Sequence, residues 1–126
     1  MFRKWLIISG GLLSIIWGIS HISAVSSIVK GFGDITIDNK RVLLMEWINE
    51  GLTLIFIGSL SIIVTIFKSE TDKAIKSVYI TTSIMLYSMA VLSLFTGFNI
   101  DFIPYKLCPV IFSISGTLIL QGAFKK

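Results

Sequence analysis

Four apolar runs, at 5–29, 42–67, 77–98 and 107–124, are each long enough to cross a bilayer, and together they occupy most of a 126-residue chain. A spanning helix needs roughly 17 to 25 predominantly apolar residues. The only formal charges inside the runs are Glu46 and Glu50. A mean hydropathy of +0.88 with 14% charged residues lies outside the range of soluble domains, so the expected solvent is lipid.

The connections, 30–41, 68–76 and 99–106, are short enough that consecutive helices are expected to pack as antiparallel neighbours. The predicted fold is an all-α integral membrane four-helix bundle, up-down-up-down, with residues 1–126 as a single transmembrane domain and no room for a soluble one. The N-terminal run exceeds the roughly 7 to 15 residues of a signal-peptide core, and Ile22-Ser23-Ala24 is a poor cleavage site, so it reads as a retained first helix.

A net charge of +4 would suggest nucleic acid for a soluble protein. Here the basic residues flank apolar runs with no aromatic and basic interleaving, which predicts membrane orientation and no nucleic-acid partner. Arg3, Lys4, Lys68, Lys73, Lys76, Lys125 and Lys126 fall on one side, against Lys30, Lys40, Arg41 and Lys106 on the other. That bias predicts a multi-pass protein of the plasma (inner) membrane with both termini cytoplasmic.

Local signals mark the boundaries. Asp38 and Asn39 suit a cap before the second helix, and Pro109 suits the first turn of the fourth. Trp5, Trp47, Phe102 and Tyr105 fall where an interfacial aromatic belt would lie. The single cysteine, Cys108, rules out an intrachain disulfide and reads as a packing residue, or alternatively as a reactive thiol bordering a pocket.

Ionisable groups within apolar runs are costly, so His21, Glu46 and Glu50 are the first candidates for function. In the predicted topology His21 lies roughly 13 Å below the outer end of its helix, Glu50 roughly 12 Å and Glu46 roughly 6 Å below the start of theirs. Helical phase places Gly10, Ser14, Trp17, Gly18 and His21 on one face, and Glu46, Glu50, Thr53 and Ser61 on one face of the second helix. With Tyr87 and Ser93 from the third, these predict an outward-opening polar pocket of His21, Glu46, Glu50, Trp17, Tyr87 and Ser93. Burial disfavours charge on both His21 and Glu50, while proximity favours it, so the pair suits proton exchange. The plainer alternative is a His21 to Glu50 bond that sets the register of two helices, with Glu46 reaching interfacial water.

One His and two Glu fall short of the usual dinuclear carboxylate site, and haem would need Met45, Met85 or Met89 opposite the single His. No metal or catalytic residue is therefore assigned, and no cofactor is identified. The loop from Gly31 to Arg41, with Gly31 and Gly33 beside Asp34, Asp38, Lys40 and Arg41, reads as a turn with a helix cap, or as a lid over the pocket. No P-loop, GxSxG or HExxH is present.

Four short-looped helices with Trp17-Gly18-Ile19-Ser20-His21 in a Gly-rich first helix resemble small four-helix bacterial membrane proteins grouped as DoxX-like, and the stretch from Gly31 to Gly58, with Met45-Glu46-Trp47-Ile48-Asn49-Glu50-Gly51, resembles that of uncharacterised bacterial proteins of this size. The resemblance implies the four-helix plan and transfers no catalytic residue. Three roles are compatible with the residues. One is an accessory or structural subunit, as a homo-oligomer or within a membrane complex. Another is a binder of a small apolar ligand such as a quinone or lipid. The third is a proton-coupled transporter using Glu50, with an intramembrane enzyme using His21 and Glu50 as acid and base as a lesser alternative.

Overall fold

The computed structural model describes residues 2–67 and 73–124, and all four apolar runs are helical in it. Lys68, Lys125, Lys126 and most of the second connection lie outside the described residues.

The first run is two helices rather than one: α1 (Phe2–Ser23) and α2 (Val25–Gly31). At Ala24 the backbone N–H is shared between the carbonyls of Ser20 at 3.1 Å and His21 at 3.2 Å, a tightened turn that ends regular α-helix. Two causes coincide there. The Trp47 indole donates to the His21 carbonyl at 2.6 Å, competing with the helical ladder. Ser20 and Ser23 also bond back to the carbonyls of Ile16 and Ile19, which bends helices.

The second run extends into α3 (Ile37–Phe67), whose 31 residues make a rod of about 46 Å, longer than the hydrocarbon core of a bilayer. Its cap is Thr36, not Asp38 or Asn39. The Thr36 hydroxyl accepts the Asn39 N–H at 3.3 Å and its carbonyl accepts that of Lys40 at 2.9 Å. The remaining helices are α4 (Lys73–Thr96) and α5 (Ile103–Phe124). Because α5 starts earlier than the apolar run, Pro104 occupies its first turn, and Pro109 sits inside the helix, where it withholds an N–H from the carbonyl of Tyr105.

Packing departs from the expected succession of neighbours. Helix α1 is central, lying along α3 on one side and α5 on the other, with α4 against α5, while α3 and α4 touch little. Glycines make the central contacts possible. A Cβ on Gly18 would lie 2.6 Å from the Gly51 carbonyl oxygen, and one on Gly11 would lie 2.9 Å from that of Gly58. Between them Ser14 donates to the Leu54 carbonyl at 2.8 Å. On the opposite side of α1, Ser115 donates to the Gly10 carbonyl at 2.6 Å. The stripe Gly10, Ser14, Gly18 thus serves two interfaces rather than one.

The pairs 11 with 58 and 18 with 51, and likewise 7 with 122 and 10 with 115, run antiparallel. Arg3 reaches the Ala123 carbonyl, and the Lys76 ammonium lies 4.1 Å from the Phe124 ring centre, so the start of α1 and the end of α5 share one end of the molecule. Near that end Tyr79 of α4 bonds Thr65 of α3 at 2.9 Å. Toward the opposite end α3 and α4 diverge around a cleft.

Leu54, Tyr79, Leu86, Phe112 and Ile119 fill the interior, whereas Phe56, Ile63, Leu92 and Phe95 point outward. Such an apolar exterior is what a bilayer solvates. Four helices, α1, α3, α4 and α5, are long and apolar enough to cross a membrane.

Candidate functional site

His21 occupies the last turn of α1. It is 6% exposed, and its ring stacks on Trp47 with centroids 3.8 Å apart and planes 11° from parallel. Tyr105 of α5 meets Trp47 edge-on at 5.4 Å, and Phe102 meets Tyr105 in turn. Trp47, Tyr105 and Phe102 therefore form one cluster beside His21, in which Trp47 is buried and Phe102 exposed.

Glu50 lies one turn beyond Trp47 on α3, and its Oε2 is 3.3 Å from His21 Nε2. The two are within ion-pair range, yet the approach lies off the hydrogen-bond direction, so Nε2 is buried without a hydrogen-bond partner. The carboxylate is about one-third exposed, because it faces a cleft.

That cleft, of about 250 Å³, is walled by His21, Trp47, Glu50, Ser93, Tyr105 and Cys108 and is roofed by Phe32 and Ile100 from the two connections at this end. It adjoins a second space of about 370 Å³ between α3 and α4, with which it shares Leu43, Trp47, Glu50, Ser93 and Thr96. The second space adds Glu46, Asn49 and Thr53 from α3, facing Met85 and Met89 of α4. Where Thr65 and Tyr79 join the two helices the groove is closed, and around Glu46 and Ser93 it is open.

Of the residues the sequence singles out, His21, Glu50 and Ser93 line the first cleft, and Glu46 joins Glu50 and Ser93 in the second. Trp17 lies apart, in a small cavity of about 150 Å³ that it shares with His21, Trp47 and Cys108. Tyr87 does not reach either cleft. It packs toward α5, its hydroxyl 2.8 Å from that of Thr117. Sequence reasoning missed Tyr105, Thr96, Asn49 and the ring-on-ring role of Trp47. The position of Trp47 between Glu46 and Glu50 on one helix was the available signal.

Three hydroxyl protons around the cleft are already committed. Thr53 donates to the Asn49 carbonyl, Ser93 to that of Met89, and Thr96 to that of Leu92, at 2.8, 2.7 and 2.8 Å. What these side chains present to a bound molecule is lone pairs. Among the described residues no group of three His, Cys, Asp or Glu is placed to hold a metal ion.

Comparison with family models, curated proteins and solved structures finds no match to this chain.

Proposed function

We propose that this chain is a four-helix, up-down-up-down protein of the plasma (inner) membrane, with both termini cytoplasmic, that binds a small amphiphilic molecule beside His21 and Glu50. The observation that carries the reading is the buried Nε2 of His21, which has no hydrogen-bond partner although it lines a cleft with a carboxylate, about one-third exposed, 3.3 Å away. A buried polar atom left unpaired is costly, and a ligand group would satisfy it. A purely structural His–Glu seam would instead be sealed and properly hydrogen-bonded.

The shape of the cleft suits a molecule with an apolar body and one polar head. Its walls are mainly aromatic and aliphatic with a few convergent polar groups, the usual composition of a small-molecule site. The apolar tail would run between α3 and α4 toward the lipid.

Native mass spectrometry of protein released from nanodiscs of host lipid tests the proposal. A retained small-molecule adduct is expected on the wild type and is expected to be lost from His21→Ala, with helicity unchanged. Identical adduct profiles for both would refute binding at this site. Orientation is tested separately: in a Cys108→Ser background, a cysteine placed at Asp34 is expected to react with an impermeant maleimide added to whole cells.

A further inference from the structure

The cleft assigns a charge to its ligand. Glu46 and Glu50, one turn apart on α3, both face it, and among the described residues no lysine or arginine pairs with either. Of the basic residues at this end, Arg41 lies 3.8 Å from Asp38 and Lys106 lies 3.8 Å from Asp101, and neither Lys30 nor Lys40 forms an ion pair with Glu46 or Glu50. His21 can offset at most one of the two carboxylates. Two acids one helical turn apart repel each other, and in a low-dielectric groove that repulsion is poorly screened.

A second observation points the same way. With the protons of Thr53, Ser93 and Thr96 donated into their own helices, these three hydroxyls present lone pairs to the groove, and Asn49 adds an amide that can donate or accept. The adjoining cleft is lined by Tyr105 and Phe32, rings whose faces attract cations, and by Trp47, one face of which is covered by His21. An anionic head would meet two carboxylates and a row of lone pairs, whereas a neutral head would leave the carboxylates uncompensated. The methionines and Leu92 on the α4 side supply an apolar wall for a chain, and Met side chains adapt to irregular shapes.

We infer that the groove between α3 and α4 binds an organic monocation of the alkylammonium type carrying an apolar tail, with its head between Glu46, Glu50 and the aromatic rings and its tail toward the bilayer. This rests on the amphiphile-binding reading above and specifies the ligand class. The cation is either a free amphiphile or the ammonium of a lipid headgroup.

Equilibrium dialysis of the whole protein in a neutral maltoside detergent, with hexyltrimethylammonium, hexanol and hexanesulfonate as matched probes, tests the class. Saturable binding of the ammonium probe is expected, with hexanol and hexanesulfonate at least about ten-fold weaker. Glu46→Gln and Glu50→Gln are each expected to weaken the ammonium probe about ten-fold, and Glu50→Asp to restore part of the loss. Because Glu46 is exposed, its variant is insulated from folding defects. Added phosphatidylethanolamine competes if the natural source is a lipid headgroup and leaves binding unchanged if it is a free amphiphile; the ammonium class stands in both cases. Hexanol binding as well as the ammonium, untouched by either Gln variant, would overturn the cation and leave amphiphile binding intact. Failure of all three probes, together with the absence of any adduct on the wild type by mass spectrometry, would overturn both.

Discussion

Trp47 binds His21 twice: its indole N–H donates to the His21 backbone carbonyl at 2.6 Å, and its ring lies 3.8 Å from the His21 imidazole. One side chain on α3 thereby ends regular helix in α1 and orients the candidate binding group. The helix break and the site share a cause.

That coupling makes Trp47 separable by substitution. Trp47→Phe keeps a ring against His21 but loses the donor, and is expected to cost about 1 kcal/mol. Trp47→Ala, which also empties the space, is expected to cost about 3 to 5 kcal/mol. Unfolding in mixed micelles measures both; equal losses would mean that the ring contributes nothing beyond the hydrogen bond, and no loss in Trp47→Phe that the hydrogen bond contributes nothing.

The glycine contacts of α1 and α3 predict a sharp positional contrast. Gly18→Ala puts a methyl 2.6 Å from the Gly51 carbonyl oxygen, so the helices must separate, at an expected cost of about 1 to 3 kcal/mol. Gly31→Ala, with nothing within 4 Å of the new methyl, is expected to be neutral or slightly stabilising. The same micelle titration distinguishes them.

At the joined end of α3 and α4, donor roles can be assigned. Thr65 donates its proton to the Ser61 carbonyl at 2.7 Å, so in its bond to Tyr79 the tyrosine must be the donor. Tyr79→Phe removes only that bond and is expected to cost about 1 kcal/mol. Thr65→Val strands a fully buried tyrosine hydroxyl and is expected to cost more, about 1 to 3 kcal/mol. Thermal unfolding in detergent would show the order, and a reversed order would contradict this assignment.

Ser115 predicts the strength of the other α1 interface. Its hydroxyl crosses to the Gly10 carbonyl, and Ser115→Ala is expected to cost about 0.5 to 1.5 kcal/mol, the usual range for interhelical bonds in membranes. Tyr87→Phe is expected to cost a similar amount through Thr117 and to leave ligand binding unchanged, since Tyr87 lies outside both clefts. Adduct retention on Tyr87→Phe checks the second point.

The four long apolar helices were legible because a spanning run is a local property: enough consecutive apolar residues must satisfy their backbone within one helix. Nearness of His21 to Glu50 followed from depth and phase alone, as both are set by the periodicity of their own helices. The break at Ala24 was not legible, since its cause is a tryptophan on another helix competing for a carbonyl. Nor were the fate of Tyr87, which turned to Thr117, and the conversion of Trp47 from an interfacial residue to a buried one.

Composition and periodicity thus determined which segments are helical and which polar groups are forced into the apolar interior. Tertiary structure decided which helices are neighbours. It placed α1 between α3 and α5 because the backbone can approach closely only where Gly11, Gly18, Gly51 and Gly58 face each other and where Gly10 meets Ser115. With α1 engaged on both sides and α4 held by α5, α3 and α4 stay apart at the His21 end, and the groove between them exists for that reason.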